Sequence, residues 1–195
     1  GEILDQKFDI YTWQPRFVMY ETKHELVEVP SIDCTDKDFV NFLNSLFNYT
    51  HKDIKEKIIF LDKARDDIYD NKDILRIIKN IVNVVGSNNL IIKKHPREKK
   101  ELYDELGNGV KIINDNFPWE LYCLNEERRD KVIIGYYSSS LVLPYIIFGC
   151  TTKTYSIAAL ITKHVQGIDQ YYNKLFYDMA DKTKFTLDKN EAYHV

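Results

Sequence analysis

Leu90-Ile91-Ile92-Lys93-Lys94-His95-Pro96-Arg97 is the stretch that decides the fold, because an apolar run stops abruptly in a basic turn. A short continuous apolar run bounded by turn chemistry suits a strand covered on both faces. Pro96 rigidifies the turn and disfavours helix at His95. The same alternation extends outward on both sides.

Upstream, Lys57-Ile58-Ile59-Phe60-Leu61 reads as another buried strand. Residues 73–85 follow as a helix, with Ile74, Leu75, Ile77, Ile78, Ile81 and Val85 at helical spacing and Gly86 placed to stop it. Earlier still, Asp36 suits the N-cap of a helix to about residue 49, with Phe39, Val40, Phe42, Leu43 and Leu46 on one face. Residues 1–35 are irregular; the apolar runs 17–20 and 26–29 fit a linker or edge strands.

Downstream, the pattern gives a helix over 98–106 ended by Gly107 and Gly109, then a strand over 110–113. A short helix over 119–125 and a strand over 131–135 come next. Ser138-Ser139-Ser140 opens a helix running toward residue 148, followed by a strand over 154–158 and a last helix over 170–179. Strands of about five residues alternating with helices make an α/β protein with a doubly wound parallel sheet. Ligands then lie beyond the carboxyl ends of the strands.

At 195 residues, with 44 % hydrophobic and 29 % charged residues, the chain is an ordinary globular domain. A net charge of −3 supplies no bulk positive field, so nucleic acid is not an expected partner. Cys34, Cys123 and Cys150 are far apart in sequence and fit a reducing compartment, as small apolar residues. No apolar run reaches the roughly 20 residues a bilayer-spanning helix needs. The longest candidate, 141–150, is broken by Pro144. There is no signal-peptide pattern, and Gly1 in place of a start methionine fits a chain that begins inside a longer product.

Three strand exits carry unusual chemistry and should share one edge of the sheet: 62–67, 93–97 and 136–140. His95 stands between the cations Lys94 and Arg97, a setting suited to a phosphate. The plain alternative is a turn histidine bonded to backbone. Ser138, Ser139 and Ser140 offer hydroxyls and a helix start to an anion, although one of them also suits an ordinary cap. Pro118, Trp119 and Glu120 follow the 110–113 strand; Trp119 suits the core, while Glu120 could accept from a ribose or base. The D-x-D of Asp36-Lys37-Asp38 sits where a helix start favours acids anyway, and His24, His51, His164 and His194 lack ligand spacing. Neither a phosphate-binding P-loop, nor a dinucleotide glycine turn, nor a hydrolase serine elbow occurs.

The ordered set Ile58-Ile59-Phe60-Leu61 with acids just beyond, Lys94-His95-Pro96-Arg97-Glu98, Asn116-Phe117-Pro118-Trp119-Glu120-Leu121-Tyr122 and Tyr136-Tyr137-Ser138-Ser139-Ser140-Leu141 resembles the bacterial lipooligosaccharide sialyltransferases, glycosyltransferase family fifty-two, over residues 55–165. The resemblance implies the Rossmann-like, donor-binding half of a GT-B enzyme. Residues 51–195 would hold a CMP-sugar, and residues 1–50 would be a linker or remnant of an N-terminal region. It implies His95 as general acid toward the departing phosphate, with Ser138, Ser139 and Ser140 binding that phosphate. Lys94, Pro96, Arg97, Pro118, Trp119 and Glu120 complete the donor site. Asp66 or Asp67 would be the base, although the local sequence departs from the family's usual Gly-x-Pro turn. The acceptor-binding half is not visible in this chain.

The implied reaction is an inverting, metal-independent transfer of sialic acid to a cell-surface glycan or lipooligosaccharide. It needs no cofactor, since the CMP-sugar is a co-substrate. The resemblance also points to a homodimer, and to a cytoplasmic protein peripheral at the inner face of the bacterial membrane. Two other readings remain open: a CDP-glycerol-type polyol-phosphate or capsule transferase, and a non-catalytic nucleotide-sugar-binding module.

Overall fold

The computed structural model describes residues 8–13, 15, 18, 21–63, 71–98, 102–107, 109–126, 130–136, 138–149 and 153–157. Strands β1 (Asp9–Thr12) and β2 (Glu25–Glu28) form a small parallel pair. Helix α1 (Lys37–Phe47) comes next, capped by the Asp36 carboxylate accepting from the Phe39 amide at 3.0 Å. That carboxylate belongs to the D-x-D pattern, and its work here is capping.

The main sheet begins at β3 (Ile58–Leu61), followed by α2 (Asn71–Val85) and β4 (Leu90–Lys93). Gly86, at φ 84°, closes α2 in a conformation that side chains resist. The chain continues through a 3-10 turn (Leu102–Leu106), β5 (Lys111–Ile113), α3 (Trp119–Asn125) and β6 (Val132–Gly135). A second 3-10 turn (Ser139–Leu141), α4 (Leu143–Phe148) and β7 (Lys153–Ser156) finish it.

The five strands are all parallel, in the order β5-β4-β3-β6-β7. This is the doubly wound, Rossmann-like arrangement that the alternating pattern implies. The chain walks outward from β3 to β5, then crosses back to β6, so the order reverses on either side of β3. Contacts sort the connections into two layers: α2 meets the 102–106 turn, whereas α3 meets α1 and α4. The strands are buried accordingly. Phe60, Leu90, Ile91 and Ile92 are wholly enclosed, and Ile74, Ile78 and Ile81 of α2 pack in the same core with Tyr122 of α3.

Two expected helices differ from what forms. The 98–106 helix is represented among the described residues only by the 102–106 3-10 turn. The 138–148 helix is split into a 3-10 turn and α4 because Pro144 has no N–H to continue a helical ladder. The expected helix at 170–179 lies outside the described residues. No helix among the described residues is long and apolar enough to cross a membrane.

Candidate functional site

A parallel sheet whose order reverses at β3 leaves a crevice at the carboxyl ends of β4, β3 and β6. The residue immediately beyond β3 is Asp62. Its amide donates to the Lys93 carbonyl at 3.0 Å, extending the ladder one step past the paired strands. Its side chain turns the other way, toward β6, where Oδ1 accepts from the Tyr136 hydroxyl at 2.9 Å. The same oxygen accepts from the Lys63 amide at 2.9 Å. Asp62 is 5 % exposed and Tyr136 is fully buried. A carboxylate so enclosed is retained only when hydrogen-bonded, and the Tyr136 hydroxyl and the Lys63 amide both donate to it.

On one side of Asp62 lies the His95 turn. The His95 carbonyl accepts from the Glu98 amide at 2.9 Å, closing the turn that Pro96 rigidifies. The ring Nδ1 accepts from the Arg97 amide at 3.1 Å. In the neutral ring the proton therefore sits on Nε2, and no described residue accepts from it. The turn histidine bonded to backbone is therefore what forms, and that bond occupies one ring nitrogen, Nδ1. Burial and the neighbouring Arg97 guanidinium lower the proton affinity of His95 below the usual histidine range, and Asp62 pulls it partly back.

The cations around His95 are placed differently from one another. Arg97 and Pro96 are exposed at the turn, whereas Lys94 is 4 % exposed. Lys93 is also buried, and its ammonium is spent inside the protein. It donates to the carbonyls of Lys94 and Asp115 at 3.2 and 3.1 Å and meets the Asp115 carboxylate at 3.2 Å, above the Tyr122 ring. Burial lowers the Lys93 proton affinity, and Asp115 opposes that.

On the other side of Asp62 lies the serine turn. Ser138 caps it, its hydroxyl accepting from the Ser140 amide at 3.3 Å. Ser139 is exposed and Ser140 half-buried. The turn lies close over β6: a Cβ on Gly135 would stand 3.1 Å from Leu141 Cδ2 and 3.2 Å from the Leu61 carbonyl. Strands about 4.8 Å apart put the β4 and β6 exits about 10 Å from each other. His95 and Arg97 follow the β4 exit, and Ser139 follows the β6 exit.

Pro118, Trp119 and Glu120 stand at the start of α3, beyond β5. Pro118 occupies the N-cap and Glu120 is half-buried. Trp119 is 6 % exposed and stacks on Tyr122, with ring centroids 5.8 Å apart, so it belongs to the core. Asp115 anchors the loop before α3, accepting from the Tyr122 hydroxyl and from the Phe117 amide. Asp66 and Asp67 lie outside the described residues.

Asp62 and Lys93 fall within the strand exits that the sequence singles out, without a role of their own there, whereas Asp115 lies outside all three. Asp62 had a signal, as the first polar residue after a wholly apolar strand. Asp115 had none, because its partners come from β4 and α3.

The chain matches the model of the alpha-2,8-polysialyltransferase family over residues 32–156, which is more than half of its length and includes every described strand of the main sheet. No curated protein and no solved structure matches it. The match makes the chain a sialyltransferase-type glycosyltransferase, a class that takes a nucleotide-sugar donor and a glycan acceptor. The shared ground with the lipooligosaccharide enzymes is sialyl transfer itself. With its Rossmann-like sheet and its matched span, the chain belongs to the alpha-2,8-polysialyltransferase family, a family of sialyltransferases.

Proposed function

We propose that this chain is the donor-binding part of a sialyltransferase that takes CMP-sialic acid at the β4, β3 and β6 exits. The observation that carries this reading is His95: its Nδ1 is fixed by the Arg97 amide, which commits Nε2–H as a donor to an incoming phosphate oxygen. The Arg97 guanidinium and the Ser139 hydroxyl supply further donors to the same charge. Glu120 and the loop at Pro118 would receive the nucleoside, with Trp119 supporting them from the core. Lys94, Pro96, Ser138 and Ser140 shape the two turns that carry the donors.

The chemistry follows as a single inverting displacement without a metal. An acceptor hydroxyl oxygen forms a bond to the anomeric carbon while the bond from that carbon to the CMP phosphate oxygen breaks. The hydroxyl proton passes to a carboxylate, Asp66 or Asp67 in this reading. The negative charge gathering on CMP is met by donors already in place. His95 starts neutral in this setting, so it serves first as a hydrogen-bond donor and becomes an acid only once phosphate charge has raised its proton affinity.

The acceptor is a cell-surface glycan. The family's name favours one ending in sialic acid, to which an alpha-2,8 bond is added, and a lipooligosaccharide is the other arm to test. Residues 51–195 form the donor domain in this proposal, working as a homodimer in the cytoplasm at the inner face of the membrane.

Calorimetric titration with CMP, UMP, GMP and CDP-glycerol tests the donor. Selective CMP binding, weakened about ten-fold or more by His95→Ala and less by Ser139→Ala, is the expected result for losing one charge-assisted contact. Preference for CDP-glycerol would move the assignment to the polyol-phosphate transferases. CMP binding with no transfer to either glycan, by a chain that includes the acceptor half, would leave only a binding module.

A further inference from the structure

We propose that residues 49–52 strap α3 at both of its ends, and that Tyr49, acting through Glu126, is a positioning residue for the nucleoside end of the donor site. This rests on the donor reading given above and deepens it, by assigning the residues that set where Glu120 stands.

Helix α3 has 7 residues, too few to hold itself, and its N-cap Pro118 makes no side-chain capping bond. Its placement must therefore come from tertiary contacts. At its far end the C-cap is Glu126, whose side chain is 5 % exposed. One oxygen of that carboxylate, Oε1, accepts from the Tyr49 hydroxyl at 2.7 Å and from the Lys52 amide at 2.9 Å. His51 Nδ1 lies 3.1 Å from the same oxygen. A helix C-terminus repels negative charge and burial penalises it further, so neither the helix nor the core explains an acid there. The strap does, because it supplies the donors.

The same strap holds the near end. The Tyr49 ring packs on Phe117 with centroids 5.1 Å apart, and the Lys52 ammonium stands 3.8 Å from Asp115 Oδ2. Both partners belong to the loop that leads into Pro118. Asp115 extends the restraint by accepting from the Phe117 amide at 3.3 Å and from the Tyr122 hydroxyl. From Pro118 to Glu126 the chain rises only about 12 Å, and a helix gripped at both ends of that span cannot turn or slide without breaking those contacts.

Glu120 lies in the first turn of this helix. A carboxylate fixed there can discriminate between pyrimidines. The exocyclic amine of cytosine donates to it, whereas uracil presents a carbonyl oxygen at the same position. A displacement of about 1 Å would loosen that bond without touching the phosphate donors on the β4 and β6 turns. The strap therefore bears on base selectivity, not on phosphate binding.

The test is calorimetric titration of the full chain with CMP, and with UMP by competition, for Tyr49→Phe, Glu126→Ala and Glu126→Gln. Tyr49→Phe keeps the ring on Phe117 and removes only the hydroxyl bond. It should weaken CMP binding about five-fold, as expected for one hydrogen bond, and UMP binding less than about two-fold. Glu126→Ala should reduce the preference for CMP at least as much. The double variant should lose no more than Glu126→Ala alone, since both changes break one bond. Glu126→Gln, whose amide oxygen still accepts, should keep the wild-type preference. An unchanged CMP preference in folded Tyr49→Phe and Glu126→Ala overturns the proposal, even where both nucleotides bind more weakly, because a merely structural loss affects the two alike. Should one variant not fold, the other is read by the same criteria. Failure of the donor reading looks different: the wild-type chain would itself not prefer CMP.

Discussion

At the scale of single residues, the buried pair of Lys93 and Asp115 makes an asymmetric prediction. The Lys93 ammonium is 4 % exposed and its only carboxylate among the described residues is Asp115. Asp115 is less dependent on Lys93. It is 19 % exposed on its side chain, accepts from the Tyr122 hydroxyl and lies 3.8 Å from the Lys52 ammonium. Asp115→Ala should therefore cost about 3 kcal/mol, because it strands a buried charge with carbonyls alone. Lys93→Met should cost about 1 kcal/mol or less, because an apolar chain fills the place and Asp115 keeps its other partners. Urea unfolding of both variants checks the order, and a larger loss for Lys93→Met would show that the amine holds the loop. The polar residues at the strand exits were readable because they follow apolar strands directly in the sequence. The pairing of Asp62 with Tyr136 was not, since it depends on β3 and β6 being neighbours across 74 residues.

Elements show where local pattern suffices and where it stops. Strands β3, β4 and β6 were legible because they are apolar throughout and flanked by polar turns, as a doubly covered strand must be. Helix α1 was legible from Asp36 and its apolar stripe, and it ends at Asn48 in the left-handed conformation. The 98–106 segment misled because Leu102, Tyr103 and Leu106 have helical spacing in too short a run, and they are satisfied by one tight turn. At 138–148 the hydrophobic pattern is continuous, yet Pro144 divides it. Gly135 is the element-scale counterpart of the Asp62–Tyr136 hydrogen bond. No unusual backbone angle requires a glycine there; the requirement is space for Leu141 and for the Leu61 carbonyl of the neighbouring strand. The carbonyl cannot yield without shifting β3. Gly135→Ala should cost about 1–3 kcal/mol by overpacking. It should also weaken CMP binding more than Gly107→Ala, which meets nothing within 4 Å but bears the strain of a φ of 73°. Thermal unfolding and calorimetry on the two variants separate space at the site from backbone strain away from it.

For the whole molecule, the question is how the chain before residue 51 relates to the sheet. Reading the sequence divides the protein there, at the point where β-α alternation begins. Side-chain contacts run across that point. Tyr49 packs on the core, with its ring 5.1 Å from Phe117 and 5.6 Å from Tyr122, and its hydroxyl donates to Glu126 at 2.7 Å. Asn44 and Asn125 exchange amide hydrogen bonds at 2.8 Å, tying α1 to α3. Further back, the Ile32 amide donates to the Ile147 carbonyl of α4 at 2.8 Å. None of these contacts is part of the five-stranded ladder. Deleting residues 1–50 should then leave a folded sheet, with a loss of about 3–5 kcal/mol, as expected for emptying an aromatic site in a core. The damage should concentrate at α3 and the loop before it, because the lost groups cover Phe117, Tyr122 and Glu126. Hydrogen exchange checks this: amides of α3 should lose protection first while those of β3 and β4 keep theirs. Uniform loss of protection would mean that the segment through residue 50 is part of one cooperative unit with the sheet, and the donor domain would have to be redrawn to include α1.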